Sequence, residues 1–132
     1  MKRRTFIHKS SLAGTGIYLT PSLMLRQQES PIKVGVIGLD TSHSVAFTKV
    51  INAESTGFKV SHAYPNGSKD IESSVSRIPK YTQEMKALGV TIAPSIDALL
   101  AEVEVVLLET NDGRLHLEQA KAIIAAKKPL FI

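Results

Sequence analysis

The chain has 132 residues, is 43% hydrophobic, contains no cysteine and carries a formal net charge of +4 at pH 7. This length suits one small globular domain, and the lack of cysteine excludes disulfide frameworks, thiolate zinc sites and cysteine nucleophiles. Five of the sixteen basic residues but only one of the twelve acidic residues lie in residues 1–31, so residues 32–132 are neutral overall. The positive charge therefore belongs to the N-terminal segment, which removes the main argument for nucleic-acid binding.

The N-terminal segment has the order of features of a twin-arginine export signal. Arg3 and Arg4 precede an apolar Phe6-Ile7 pair, and a mildly apolar run rich in Gly, Ser and Thr follows. The run is too short and too polar to span a bilayer stably. An amphipathic or disordered N-terminus is the alternative interpretation. We expect residues 1–31 to be an export leader outside the fold, and the protein to be periplasmic or exported.

Residues 32–132 alternate short β-branched runs with helical segments, a pattern typical of a parallel sheet. The first run, residues 32–38, is continuously apolar and ends in glycine, which suits a central strand buried on both faces. The predicted strands are residues 32–38, 58–64, 90–93, 103–110 and a last one that begins at Pro129.

The predicted helices lie between these strands, at residues 44–53, 80–88, 96–100 and 114–128. Ser95 is placed to cap the third helix, and Pro79 predicts a short helix or loop before the second. Leu117, Ala120 and Ile124 repeat at helical spacing and predict the apolar face of the last helix. The order of elements predicts an α/β fold: a doubly wound, mainly parallel Rossmann-like sheet with helices on both faces and a ligand crevice at the carboxyl ends of the strands.

The turn after the first strand keeps one glycine of the G-x-G-x-x-G fingerprint. That pattern needs its first glycine for the bend, its second for close approach to a pyrophosphate and its third for helix packing. Gly38 stands at the first position, but Asp40 and His43 stand at the other two. A carboxylate about 4 Å from a phosphate charge repels it by roughly 4 kcal/mol at an effective dielectric of about 20. Alternatively, Asp40, Thr41 or Ser42 caps the following helix.

The end of the second strand also departs from a dinucleotide site. A dinucleotide-binding domain usually places Asp or Glu there for the ribose hydroxyls. Tyr64 and Pro65 occupy that region, and Asp70 lies past the turn. The turn and the second strand are therefore weak indicators of a nucleotide when taken alone.

Polar side chains follow two strands whose carboxyl ends should meet at one edge of the sheet. Asp40 and His43 come after the first strand, and Glu109, Asp112 and His116 come after the fourth. Such a group is suited to a divalent metal or to sugar hydroxyls. In the alternative interpretation Glu109 and Asp112 are solvated, His116 donates to a backbone carbonyl and His43 packs in place of the third glycine. The spacing matches no recognised metal motif, so no metal ligands are predicted.

The strand "KVGVIG", the segment "ETNDGRLHLEQAKAIIAAKKPLFI" and their spacing resemble the N-terminal Rossmann domain of the Gfo/Idh/MocA oxidoreductase family. Several members of that family carry a twin-arginine signal. The resemblance implies hydride transfer between NAD or NADP and a sugar or cyclitol. The cofactor-binding residues that it implies in this sequence are Gly38, Leu39, Asp40, Thr41, Ser42, Thr110, Asn111 and His116.

Two departures from the family pattern limit what the chain is expected to do. The family's T-P-x-x-x-H reads N-D-G-R-L-H, with Asn111 and Asp112 in place of threonine and proline. The family's acidic-Lys-Pro motif would begin after Ile132, and the second domain that contacts substrate would follow it. We therefore expect residues 32–132 to be an incomplete nucleotide-binding domain without turnover or catalytic residues of its own, with oligomers formed only by a full-length protein. The alternative is a Rossmann-derived module that has lost the dinucleotide and binds a sugar-like ligand or a partner chain.

Overall fold

The computed structural model describes residues 30–53 and 55–132, so residues 1–29 of the expected export leader lie outside the described residues. None of the described helices combines the length and apolar character needed to cross a membrane. The elements are β1 (Ile32–Ile37), α1 (Ser42–Ala53), β2 (Phe58–Tyr64), α2 (Glu72–Ala87), β3 (Thr91–Ile92), α3 (Ile96–Glu102), β4 (Val105–Leu108), α4 (Gly113–Ala125) and β5 (Leu130–Phe131).

The five described strands form one parallel sheet in the order β3-β2-β1-β4-β5. The chain winds outward from β1 through β2 to β3 and then returns to the other side of β1 for β4 and β5. This reversal places a topological switch point between β1 and β4, where doubly wound proteins bind their ligands. The predicted α/β class and Rossmann-like sheet are confirmed.

Each face of the sheet has its own apolar cluster, because successive side chains of a strand point to opposite faces. On β1, Val34 and Val36 belong to one cluster and Ile37 belongs to the other. Met85 of α2 packs in the first cluster, and Leu99 of α3 packs in the second. The helices therefore cover both faces of the sheet with apolar side chains. Polar groups that could bind a ligand are left to the ends of the strands and the loops that follow them.

The predicted break before Pro79 is wrong, because α2 is one continuous helix. Proline removes one helical N–H and so leaves the carbonyl of Val75 without its helical donor. Both Val75 and Pro79 lie on the exposed side, where water can hydrate that carbonyl. Buried residues near the two ends, Ser74 and Met85, hold the helix against the rest of the domain.

The predicted apolar face of α4 is also wrong in part. Leu117 and Ile124 are 68% and 65% exposed, whereas Gln119 and Ile123 are buried and Ala120 packs against the second cluster. Helical spacing alone allowed either stripe of this helix to face the sheet. The stripe of Gln119, Ala120 and Ile123 packs inward, so Ala120 is the one predicted residue that faces the sheet.

Candidate functional site

The tight turn after β1 depends on Gly38. Its φ is +92°, a conformation that costs little only for glycine. A Cβ at this position would lie 2.5 Å from both Cα and N of Thr110, which follows β4. The first fingerprint position therefore needs glycine both for the bend and for the close approach of the β4–α4 loop.

Asp40, at the second fingerprint position, is fully buried and does not cap α1. Its Oδ2 accepts a hydrogen bond from Ser74 Oγ at 2.9 Å, and its Oδ1 accepts one from the Asn111 N–H at 3.1 Å. The backbone of Gly67 lies directly against the same carboxylate, leaving no room for a Cβ. Asp40 therefore joins the β1–α1 turn to α2 and to the β4–α4 loop. Of the three candidate caps for α1, Thr41 takes the position, with a long 3.4 Å bond from the His43 N–H.

The connection between β2 and α2 runs beside the β1–α1 turn. The Gly38 N–H donates to the carbonyl oxygen of Tyr64 at 2.9 Å, and the Leu39 N–H donates to that of Pro65 at 3.1 Å. Residues 67–70 then pass over Asp40 toward the start of α4, and we name them the strap. The strap thus occupies the edge of the sheet above the fingerprint turn.

Arg114 holds the strap against α4. Its guanidinium donates to both carboxylate oxygens of Asp70, at 3.1 and 2.7 Å, and to both of Asp112, at 2.8 to 3.1 Å. Asp112 also caps α4 by accepting from the Arg114 N–H at 3.0 Å. Hydrogen bonds from Arg114 favour the ionised carboxylates, so the pKa of Asp70 is lowered and that of Asp112 falls to about 2. Both carboxylates are therefore charged at neutral pH.

On the other side of Asp40, a pocket of about 210 Å³ lies between the start of α1 and the carboxyl end of β4. We call it the switch-point pocket, and it contains three of the five residues that the sequence suggested as a cluster, His43, Glu109 and His116. Asp40 is buried outside it, and Asp112 is engaged by Arg114. The lining residues are Thr41, His43, Leu108, Glu109, Thr110, Asn111, His116 and Ile132.

The titratable groups of the switch-point pocket have different environments. Burial raises the pKa of Glu109, although the nearby imidazoles of His43 and His116 oppose this effect. His116 Nε2 donates to the carbonyl oxygen of Thr110 at 2.6 Å, as the alternative interpretation expected. His43 is exposed and its ring lies 5.9 Å from that of Phe47, so it does not fill the place of the third glycine. Within residues 30–53 and 55–132, no three His, Asp or Glu side chains form a group that could hold a metal ion.

The eight residues implied as cofactor-binding fall into three sets in the structure. Gly38, Leu39 and Asp40 are buried beneath neighbouring backbone. Ser42 is exposed on the first turn of α1. The remaining four line the switch-point pocket, and they are Thr41, Thr110, Asn111 and His116. The Thr110 hydroxyl is buried without a hydrogen-bond partner among the described residues.

Two larger pockets lie on the strap side of Asp40, with volumes of about 420 and 460 Å³. Both are lined by Gly67, Lys69 and Leu115. The first also contacts Arg114 and its two carboxylates, and the second extends to Tyr64, α3 and α4. Neither shares a lining residue with the switch-point pocket.

Sequence reasoning missed Arg114 and the strap. Asp70 and Arg114 are 44 positions apart, and only the fold brings them together. The local sequence shows only Asp112 at the start of a helix, with an arginine two residues later. This pattern predicts that Asp112 caps the helix, and it gives no sign that the arginine binds a residue of another loop.

Neither a family model nor a curated protein matches the sequence. Solved structures do match. UDP-N-acetylglucosamine 3-dehydrogenase GnnA from Acidithiobacillus ferrooxidans is 21% identical with a TM-score of 0.59, over 76% of this chain and 28% of that one. Scyllo-inositol dehydrogenase from Lactobacillus casei, with bound NAD(H) and scyllo-inositol, is 21% identical with a TM-score of 0.55, over 76% and 27%. The WlbA dehydrogenase from Bordetella pertussis, in complex with NADH and UDP-GlcNAcA, is 19% identical with a TM-score of 0.57, over 76% and 27%.

The match covers only about a quarter of the length of each of these dehydrogenases. At this level of identity the similarity concerns the fold, and the residues of the site have to be judged from this chain itself. The described part of the chain has the Rossmann-like α/β fold of these dehydrogenases.

Proposed function

We propose that residues 32–132 form the nucleotide-binding domain of an oxidoreductase of the Gfo/Idh/MocA type, which acts on a sugar or cyclitol with NAD or NADP. The observation that carries this proposal is the five-stranded parallel sheet with its Gly38 turn at the switch point, a fold shared with dehydrogenases whose structures contain NAD(H). Substrate contacts would come from a second domain, so the domain alone has no turnover.

The switch-point pocket supports the same proposal. It lies between β1 and β4, where doubly wound folds bind nucleotides. The first turn of α1 borders it and contains no acidic residue, so the free N–H groups of the helix end favour an anionic group. The buried Thr110 hydroxyl provides a further polar group in the lining without a partner among the described residues.

The turn itself does not fit an extended dinucleotide while the strap covers it. The Leu39 N–H already donates to Pro65, and Asp40 is covered by the strap at the position where backbone should meet the pyrophosphate. At the end of β2, the carboxylate of Asp70 is paired with Arg114 rather than free for ribose hydroxyls. Binding of a dinucleotide therefore requires the strap to move away from Asp40 and the hydrogen bond between Leu39 and Pro65 to break.

A titration tests the proposal. The chain is titrated with NADH and with NADPH, and binding is followed by the fluorescence of the reduced nicotinamide and by competition with the oxidised forms. We expect saturable binding of at least one nucleotide by the wild type or by a variant with a released strap. The absence of binding by both proteins would contradict the proposal.

We also propose that the protein is exported through a twin-arginine signal in residues 1–31. The adjacent Arg3 and Arg4 before an apolar pair support this proposal. A reporter protein fused behind residues 1–31 should reach the periplasm, and replacement of both arginines by lysine should retain it in the cytoplasm. Retention of the unaltered fusion would contradict export.

A second candidate function is a module that binds a small hydroxylated ligand without a nucleotide. The observation that favours it is the switch-point pocket, where Glu109 lies near the imidazoles of His43 and His116. A carboxylate accepts hydrogen bonds from hydroxyl groups, and a volume of about 210 Å³ suits a ligand smaller than a dinucleotide. Calorimetry with myo-inositol and glucose separates the two candidates. Sugar binding that disappears in Glu109→Gln, together with no response to NADH, would favour the module.

A further inference from the structure

We propose that the strap, held by Arg114, determines which ligand the crevice accepts. With the Arg114 ion pairs formed, Asp40 and the strap separate the switch-point pocket from the two larger pockets, and each side takes only a small ligand. With the ion pairs broken, the strap moves and the pockets join into one groove long enough for a dinucleotide. This inference rests on the proposed function, since it concerns how the nucleotide enters.

The pockets on the two sides of Asp40 are separate. The switch-point pocket shares no lining residue with either of the two larger pockets. Asp40 lies between them, since it contacts Asn111 of the first pocket and Gly67 of the others. A dinucleotide that lies along the carboxyl edge of the sheet has to cross the position of Asp40, which is fully covered in the closed form.

Few backbone and apolar contacts hold the strap in place. Its residues, Gly67, Ser68, Lys69 and Asp70, contribute no apolar side chain to either core cluster. Among the described residues, no backbone–backbone hydrogen bond involves residues 67–70. Gly67 and Ser68 are buried, but the strap is held chiefly by side-chain contacts, and local openings of a protein occur where buried apolar contacts and backbone hydrogen bonds are few.

Arg114 is the group that keeps the strap closed. Its guanidinium contacts Asp70 on the strap and Asp112 on α4, and its Nη2 also lies 3.5 Å from Ser68 Oγ. The side chains of Arg114 and Asp70 are 63% and 67% exposed, so water and salt compete for this ion pair. Asp40 does not anchor the strap by hydrogen bonds, because its partners are Ser74 and Asn111. Arg114 is thus a positioning residue that acts through the strap.

The experiment compares three proteins, the wild type, Arg114→Gln and the matched control Arg77→Gln. Arg77 lies exposed on α2 and forms no ion pair among the described residues, so its replacement removes the same charge without touching the strap. NADH affinity is measured by fluorescence titration. Strap opening is measured independently of any ligand, as the rate of tryptic cleavage after the exposed Lys69 under native conditions.

We expect Arg114→Gln to be cleaved several times faster after Lys69 than the wild type, and to bind NADH more tightly by a similar factor, because both measurements follow the population of the open form. Arg77→Gln should match the wild type in both measurements. Asp70→Asn breaks the ion pair from the strap side and leaves the Asp112 cap of α4 intact, so it should reproduce the effects of Arg114→Gln on NADH affinity.

The failures are distinguishable. Unchanged cleavage in Arg114→Gln overturns the role of Arg114, whatever the affinities are. Measurable and equal NADH binding by the wild type, Arg114→Gln and Asp70→Asn overturns the inference but leaves the proposed function in place. Faster cleavage with no NADH binding by any variant overturns the proposed function and, with it, the joined groove.

Discussion

The two sides of Asp40 differ in what fills the carboxyl edge of the sheet. Toward β4, the switch-point pocket is bordered by Thr41, Glu109 and His116 and remains accessible. Toward β2, the strap and the Arg114 ion pairs cover the fingerprint turn. Both sides belong to the same parallel sheet. The position of the crevice therefore depends on the sheet, and its length depends on the loops. Fold similarity alone therefore does not reveal which ligand fits.

The largest expected effect comes from the turn that both sides share. Gly38→Ala should lower the free energy of unfolding by about 3 kcal/mol or more, because it combines an unfavourable positive φ with a Cβ in contact with the Thr110 backbone. Urea unfolding followed by circular dichroism measures this change. Gly57→Ala is the matched control, since Gly57 also has a positive φ but has free space around it. Its loss should be about 1 kcal/mol, and equal losses would contradict the role of the close approach.

The next effect concerns the residue that divides the two sides. Asp40→Ala leaves the Ser74 hydroxyl and the Asn111 N–H without an acceptor in a buried position, and should cost about 2 to 3 kcal/mol of stability. Asp40→Asn keeps one acceptor oxygen and should cost less. Unfolding in urea compares both variants with the exposed Asp97→Ala, which should change stability by no more than about 1 kcal/mol. A neutral Asp40→Ala would show that Asp40 does not join the loops.

The order of the elements and several of their boundaries could be predicted from sequence because local signals bracket them. β2 begins after Gly57 and ends before Pro65, as predicted. Ser95 caps α3 as predicted, accepting from the Ala98 N–H at 3.1 Å. Glycine, proline and capping residues restrict the local backbone conformation, so a boundary that they mark can be predicted from the neighbouring sequence alone.

The partners of the polar side chains could not be predicted in the same way. Asp40 pairs with Ser74 and Asn111, which are 34 and 71 positions away, so no spacing rule connects them. The same applies to Asp70 and Arg114, whose contact depends on how the β2–α2 connection crosses the sheet edge. The sequence places a carboxylate at the second fingerprint position, but only the fold shows that neighbouring backbone covers it.

The smallest effect that we expect concerns Glu109 in the switch-point pocket. Burial raises the pKa of Glu109 above its ordinary value of 4.5, so the folded protein binds this proton more tightly than the unfolded chain. The glutamate therefore contributes stability below pH 4.5, and this contribution is lost as the pH rises through the raised pKa. Relative to Glu109→Gln, the wild type should lose stability as the pH rises from about 4 toward neutrality. Urea unfolding across this range measures the difference, and the exposed Glu102→Gln serves as the control. If the difference in stability between the wild type and Glu109→Gln did not change with pH, the raised pKa of Glu109 would be contradicted.

In the proposal above, this Rossmann-like domain binds a nicotinamide dinucleotide in a groove that the strap closes. The most direct measurement is an NADH fluorescence titration of the wild type and Arg114→Gln, performed side by side at equal protein concentration. Arg114→Gln should saturate at an NADH concentration several times lower than that needed by the wild type. Titrations without any saturable signal for either protein would contradict it.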